Sequence, residues 1–325
     1  MKAVLCKEYG LPDTLVIEDV PSLAPAAGQV VVSMKAAGVN FPDALIIQGK
    51  YQMKPPLPFS PGTELAGVVK AVGEGVKHPK PGDAVIAYAG YGGFAEEVAV
   101  DARACIPLPP GVDFKVAASF MMTYGTSYHA LKDRAQLQPG ETLLVLGAAG
   151  GVGSAAVELG KLMGARVIAA ASSDDKLDAC KQLGADATIN YASGDLREAV
   201  KRITEAKGVD VICDPVGDKF AEPAMRDMAW GGRYLVIGFA GGEIPRIPLN
   251  LPLLKGFSIV GVSWGNFARK ESQKNDANVR ELLGWIAGGK LKPLVSAAYP
   301  LDQVARALKD VMERKVKGKV VLVAG

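Results

Sequence analysis

Residues 145–156 read VLGAAGGVGSAA, an apolar run that ends in closely spaced glycines and passes directly into small residues able to open a helix. A glycine pattern between a strand and a helix is the context that makes it specific for a dinucleotide-binding turn. Backbone without side chains can approach a pyrophosphate closely, and the N–H groups and positive end of the next helix attract it. Gly150, Gly151 and Val152 are therefore the expected phosphate-contacting residues. Ala148 stands where the first glycine of the pattern belongs, and Gly147 lies one residue earlier.

Outward from this turn the chain alternates. From Glu141 to about Val262, TLLVLG, RVIAAA, ATINY, VDVICDPV and RYLVIGF read as strands. Between them GVGSAAVELGKLMG, SDDKLDACKQLG, DLREAVKRITEAKG and KFAEPAMRDMAWGG read as helices. Parallel strands need crossovers and helices then cover both faces, so the α/β pattern predicts a doubly wound parallel sheet. Residues 1 to about 120 instead carry short β-branched runs between glycine and proline turns, among them KAVLC, TLVIEDV, QVVVSMKAAGV, LAGVVKAVG, DAVIAYA and FAEEVAV. They predict a compact β-rich domain, and residues 113–135 read as two helices and a connector. The tail from Asn278 carries two helices and a closing strand outside the alternating rhythm. The expected organisation is a β-rich domain at 1–122, completed by 265–325, with the nucleotide-binding domain at 123–264 inserted.

A length of 325 residues fits two domains of roughly 150 residues each. A net charge of +3 without blocks of like charge argues against a nucleic-acid partner. MKAVLCKEYG lacks the apolar stretch of a signal peptide, and no run of about eighteen apolar residues exists, so a cytoplasmic protein without a membrane partner is expected. Cys6, Cys105, Cys180 and Cys213 are widely separated and form no C-x-x-C pair, which reads as four reduced structural thiols.

The type of nucleotide is read at the end of the second strand, where an acidic side chain would bind the ribose hydroxyls of NAD. That strand ends at Ala171, followed by Ser172 and Ser173, with Lys176 one helical turn on. Two hydroxyls and an ammonium suit a 2′-phosphate, so NADPH is expected. Asp174 and Asp175 are read as capping the following helix and pointing away.

On these residues the chain resembles the medium-chain dehydrogenase/reductase superfamily, in its zinc-independent quinone oxidoreductase (ζ-crystallin-like) branch. The likeness runs nearly end to end, through AAGVNFPDALIIQGKY (36–51), FSPGTELAGVVKAVGEGV (59–76), GGFAEEVAV (92–100), LGAAGGVGSAAVELGK (146–161), LGADATINY (183–191) and GRYLVIGF (232–239). It implies a GroES-like catalytic domain wrapped around a Rossmann-like domain, with the active site in the cleft between them. It also accounts for Ala148, because the branch writes A-A-x-G-G-V-G at this loop, and it sets Glu158 where the branch usually has glutamine. Zinc-dependent relatives place a cysteine where this chain has Asn40 and a histidine where it has Thr63, before Glu64. They also carry a cysteine-rich lobe that has no counterpart between Gly82 and Val100. With His78 and His129 the only histidines, no metal-ligand set is expected.

Without a metal, the oxyanion formed by hydride addition must be stabilised by hydrogen-bond donors or solvent, which suits acceptors that delocalise charge. Quinones are the expected substrates. Small hydrophobic conjugated carbonyls, namely enals, enones and enoyl thioesters, are the alternative, and a non-catalytic nucleotide-binding scaffold is a third reading of the same fold. The resemblance sets Asn40, Phe41 and Asp43 near the nicotinamide and Tyr51 against the substrate, with Leu45 in place of a second tyrosine. Thr126 would face the nicotinamide amide, whereas His129 reads as packed. Tyr191 would lie near the 2′-phosphate, Gly238, Phe239, Ser263 and Trp264 on the nicotinamide side, and Lys319 would close over the cofactor. IPRIPLNLPLLKGFSIVGV (244–262) reads as apolar extended chain, an edge that must be covered. The family covers it by pairing two subunits, so a homodimer is expected.

Overall fold

Alternating burial and turn chemistry produce two units in the computed structural model, which describes residues 1–324. The first, Met1–Met122 with the tail from Pro293, begins with strands β1 (Lys2–Leu5), β2 (Val16–Asp19) and β3 (Gln29–Val39). Helix α1 (Phe41–Ile46), strands β4 (Glu64–Val72), β5 (Ala84–Tyr88), β6 (Glu97–Asp101) and β7 (Cys105–Pro107), and helix α2 (Phe114–Ala117) follow. β3 pairs antiparallel with both β4 and β6. Its Val30, Val32 and Met34 join Leu65, Val85 and Phe94 in the buried core.

The second unit, Thr123–Lys292, takes in most of α3 (Met121–Tyr128), which runs into a π-helical turn at His129–Arg134. Then come β8 (Thr142–Leu146), α4 (Gly151–Leu162), β9 (Arg166–Ala171), α5 (Asp174–Gln182), β10 (Ala187–Asn190), α6 (Leu196–Thr204), β11 (Val209–Asp214) and α7 (Ala221–Arg226). β12 (Met228–Val236), α8 (Asn250–Lys255), β13 (Ser258–Gly261), α9 (Trp264–Lys270) and α10 (Ser272–Ala287) complete it. The sheet order is β10-β9-β8-β11-β12-β13, every pair parallel. The chain moves outward on one side of β8 and then crosses to the other. The glycine turn after β8 therefore lies at the topological switch point, where open parallel sheets bind ligands. β14 (Val295–Pro300), α11 (Val304–Met312) and β15 (Lys319–Val323) return to the first unit, where β15 pairs antiparallel with β3.

Three sequence expectations are corrected. The chain returns to the first unit at Pro293, not at residue 265, because α9 and α10 pack within the second unit. Phe267 stacks on His129 at 3.9 Å, and Trp285 meets Tyr128 edge-on at 5.3 Å. The helix expected through Gly232 ends at Arg226, and β12 begins at Met228. Gly231 and Gly232 sit inside this strand, where the register against β11 shifts. PLVSAAYP, given no element from the sequence, supplies β14, pinned in parallel by β15. The stretch 244–262 is not extended throughout, since it contains α8.

The glycine turn explains its own spelling. Gly147 carries the left-handed backbone, with φ of +58°. Ala148, fully buried, needs no glycine. Gly153 does, because a Cβ there would lie 2.2 Å from the Gly147 carbonyl oxygen and 2.7 Å from the Ala148 Cα. This is where α4 meets the end of β8. Gly153→Ala is expected to destabilise the second unit by about 2 kcal/mol or more through overpacking, read as a lowered urea midpoint. A midpoint equal to that of the unsubstituted protein would refute this account of the turn.

Candidate functional site

In the first unit, β3 ends at Val39 and Asn40 begins α1. Asp43, at the third helical position, accepts a 2.8 Å hydrogen bond at Oδ2 from the Asn40 backbone N–H, so the helix start holds it. The Asn40 side chain turns inward instead: Nδ2 donates to Glu64 Oε1 at 2.9 Å and to Thr63 Oγ1 at 3.2 Å. Lys319, at the start of β15, donates its ammonium to the Val39 carbonyl at 2.9 Å, to Glu64 Oε1 at 3.0 Å and to Asn40 Oδ1. The Met122 backbone N–H donates to Glu64 Oε2 at 3.0 Å.

Glu64 and Asp43 are fully buried. The cation beside Glu64 is the Lys319 ammonium. Among the described residues, no three His, Cys, Asp or Glu side chains converge as a metal site would require.

Asp43 Oδ1 is buried without a hydrogen-bond partner. Burial pushes the Asp43 carboxyl up to about 7, against the Asn40 hydrogen bond and the Lys319 charge. Half-buried Tyr51 packs against the same core, and its hydroxyl is pushed up by burial and then by Asp43. Tyr88, not singled out from the sequence, is raised by burial and by its neighbours Tyr51, Asp43 and Glu64. Its place at the end of an apolar strand gave no signal, because proximity to Asp43 arises only when β5 pairs with β4. Phe41 is half-buried at the start of α1.

In the second unit, Gly150 is the N-cap of α4 and has no side chain to accept from the first-turn N–H groups, so those of Gly151 and Val152 can serve a phosphate. The residues present fit a dinucleotide pyrophosphate. At the end of β9, Lys176 Nζ donates to Ser172 Oγ at 3.1 Å and Ser173 is the N-cap of α5. Asp174 and Asp175 occupy the first turn of that helix rather than its cap. Asp174 Oδ1 accepts from Asn190 Nδ2 at 2.8 Å, which ties it to the end of β10. The next residue, Tyr191, lies against Phe220, ring centres 4.3 Å apart. Asn190 and Phe220 were not expected at this rim, since only the parallel sheet brings them to it.

Gly238 and Phe239 follow β12 in a loop whose backbone is bonded to that after β11: Ile237 N–H donates to the Asp214 carbonyl and Ala240 N–H to that of Pro215, each at 3.1 Å. Asp214 holds the second of these loops, accepting at Oδ1 from Val216 and Gly217 N–H at 2.7 and 2.8 Å and at Oδ2 from the Tyr234 hydroxyl. Thr126 is half-buried on α3. Ser263, the N-cap of α9, accepts at Oγ from Asn266 Nδ2 at 2.9 Å.

Two expected cofactor contacts are differently engaged. The Trp264 indole is buried, occupies the space left by Gly125 and donates to Asn275 Oδ1 at 3.0 Å. The Lys319 ammonium spends its three donors inside the polar cluster of the first unit. His129 is packed as expected, hydrogen-bonded to Asp133 at 2.9 Å. Glu158 accepts at Oε2 from the Tyr124 hydroxyl at 2.5 Å and at Oε1 from the Lys292 N–H at 2.6 Å, which tethers α4 within its unit.

Residues 26–110 match the family model of the alcohol dehydrogenase GroES-like domain, and residues 151–283 that of zinc-binding dehydrogenases. A quinone oxidoreductase-like protein 2 homolog from Nematostella vectensis is 41% identical, over 99% of this chain and 88% of the relative. Among solved structures, a probable oxidoreductase from Mycobacterium abscessus matches with a TM-score of 0.89 at 40% identity, over 99% of this chain and 98% of that one. Escherichia coli quinone oxidoreductase complexed with NADPH matches with a TM-score of 0.93 at 30% identity, over 99% and 100% of the two chains.

The raised Asp43 carboxyl has a signed consequence. Its folded value near 7 exceeds the ordinary 3.8, so its contribution to stability is full below about pH 4 and is lost as pH rises through 7. Asp43→Asn should remove up to about 4 kcal/mol of pH-dependent stability between those limits. Urea unfolding at pH 5 and pH 8 checks it, and an unaltered pH slope in the variant would contradict the assignment.

Proposed function

The chain belongs to the zinc-independent quinone oxidoreductase branch of the medium-chain dehydrogenase/reductase superfamily, and on that premise we propose that it is an NADPH-dependent oxidoreductase that reduces quinones without a metal. The observation that carries the reading is the strand end at Ala171. There Ser172 and Lys176 form a donor pair, and the nearest acid in sequence, Asp174, is held by Asn190. A dianionic 2′-phosphate needs donors and positive charge at that point.

Bound NADPH supplies the hydride, and the protein's share is positioning and polarity. Gly150, Gly151 and Val152 bind the pyrophosphate through backbone N–H groups; Ser172, Ser173 and Lys176 bind the 2′-phosphate, flanked by Tyr191. Thr126 and the backbone at Gly238, Phe239, Ser263 and Trp264 orient the nicotinamide. On the acceptor side, Asn40 and Phe41 shape the site and Tyr51 hydrogen-bonds or stacks on the quinone. Asp43 holds a proton at its carboxyl near neutral pH. Lys319 acts through Asn40 and Glu64, which it fixes in place.

One edge of the parallel sheet is β13, and Ile244, Leu249 and Leu253 near it are 72%, 78% and 78% exposed. A second copy of the chain covers this edge in the proposed homodimer. The cysteines are free and burial raises all four thiols, which suits a reducing, cytoplasmic compartment.

NADPH oxidation with 1,4-benzoquinone or 9,10-phenanthrenequinone should proceed undiminished in the presence of a chelator and exceed that with 2-alkenals. Loss of turnover on chelation, or preference for the alkenals, would overturn the reading. Lys176→Ala should weaken NADPH binding by about ten- to a hundredfold and leave NADH binding unchanged; equal losses for both would remove Lys176 from the phosphate. Leu253→Glu should convert the dimer to monomers in sedimentation analysis, and a dimer that survives would move the interface elsewhere.

A further inference from the structure

Three loops leave the carboxyl ends of the neighbouring strands β8, β11 and β12. The first is the phosphate turn and the third carries Gly238 and Phe239. The middle one, residues 215–217, packs tightly on both. A Cβ at Gly147 would stand 2.7 Å from Val216 Cγ2, and one at Gly241 would stand 2.7 Å from the Val216 carbonyl oxygen. The Gly241 N–H donates to that carbonyl at 2.7 Å, and the Ala240 N–H to that of Pro215 at 3.1 Å.

These backbone bonds, more than packing, place the third loop. A cavity of about 180 Å³ lies against it, with Gly238, Phe239, Ile244 and Ile259 in its wall together with Asp214 and Tyr234. Atoms that border a void lose their contacts on that side, so hydrogen bonds carry more of the positioning there. The bonds lead back to one side chain. Asp214, the last residue of β11, is 1% exposed. Its Oδ1 accepts from the Val216 and Gly217 N–H groups at 2.7 and 2.8 Å, and its Oδ2 from the hydroxyl of Tyr234, which is buried on β12. Three neutral donors serve this buried carboxyl group, and no cation offsets it. The backbone just past it is equally demanding. Gly217 has φ of +66°, and Asp218, which carries a side chain, has φ of +55°. Strain of that kind persists where the surroundings over-determine it, and it clusters at ligand sites. A connection that only joined β11 to α7 would require neither feature.

We propose that Asp214, oriented by Tyr234, is the positioning residue for the nicotinamide. By holding residues 215–217 it sets the spacing between the phosphate turn and the backbone of Gly238 and Phe239, and thereby the face of the ring from which hydride leaves. The role rests on the NADPH reading above. Being buried, Asp214 acts only through the two loops.

NADPH deuterated in turn at each of the two nicotinamide C4 hydrogens is oxidised with 1,4-benzoquinone, and the deuterium kept in the oxidised cofactor is measured. The unsubstituted protein should transfer from one face only. Asp214→Ala should transfer from both faces and lose about ten- to a hundredfold in kcat. Its affinity for 2′-phospho-ADP-ribose, which lacks the nicotinamide, should be unchanged. Asp214→Asn should recover most of the loss, because the amide oxygen accepts the same two N–H groups and Nδ2 donates to a turned Tyr234 hydroxyl. Tyr234→Phe keeps both backbone bonds and should lower kcat severalfold, again without changing 2′-phospho-ADP-ribose affinity; it decides the matter alone should Asp214→Ala not fold. Full kcat and one-faced transfer in these variants, with only a lowered urea midpoint, would make Asp214 a purely structural residue and overturn the proposal. Equal losses of affinity for NADPH and 2′-phospho-ADP-ribose would overturn it as well. Absence of hydride transfer in the unsubstituted protein would instead overturn the functional reading, and this role with it.

Discussion

A buried charge organises the first unit. Glu64 is wholly removed from water, and an isolated carboxylate there would cost several kcal/mol. The ammonium that offsets it belongs to Lys319, 255 positions further along the chain. β15 is laid beside β3 with its lysine against the Val39 carbonyl and the Asn40 amide. Everything between Thr123 and Lys292 is an insertion that folds on its own sheet.

The same cluster decides the chemistry available around α1. One carboxylate, Glu64, is satisfied by three donors. The other, Asp43, receives one backbone N–H and keeps an open oxygen, so burial leaves it near neutrality rather than ionised.

In the second unit the comparable constraint is steric. Gly153 lets α4 come within contact of the Gly147 carbonyl, and the open N-terminus of the helix is thereby aimed past the end of β8. Beside it stand strand ends that a parallel sheet necessarily aligns: Ser172 after β9, Asn190 ending β10, Asp214 ending β11.

The order of strands and helices from Glu141 to Val236, the glycine turn and the donors at Ser172 and Lys176 were legible in the sequence, because each depends on local periodicity or on side chains a few residues apart. The boundary at Pro293, the strand Val295–Pro300 and the bulged start of β12 were not. They depend on which distant surfaces α9, α10 and β15 find. The indole of Trp264 and the ammonium of Lys319 look alike from sequence, as late polar or aromatic positions near a cofactor. Only the fold turns the first into the space beside Gly125 and the second toward Glu64. The amino-acid order determined what each segment can form. Long-range pairing of buried charge and apolar surface, which no local window contains, decided where each side chain is spent.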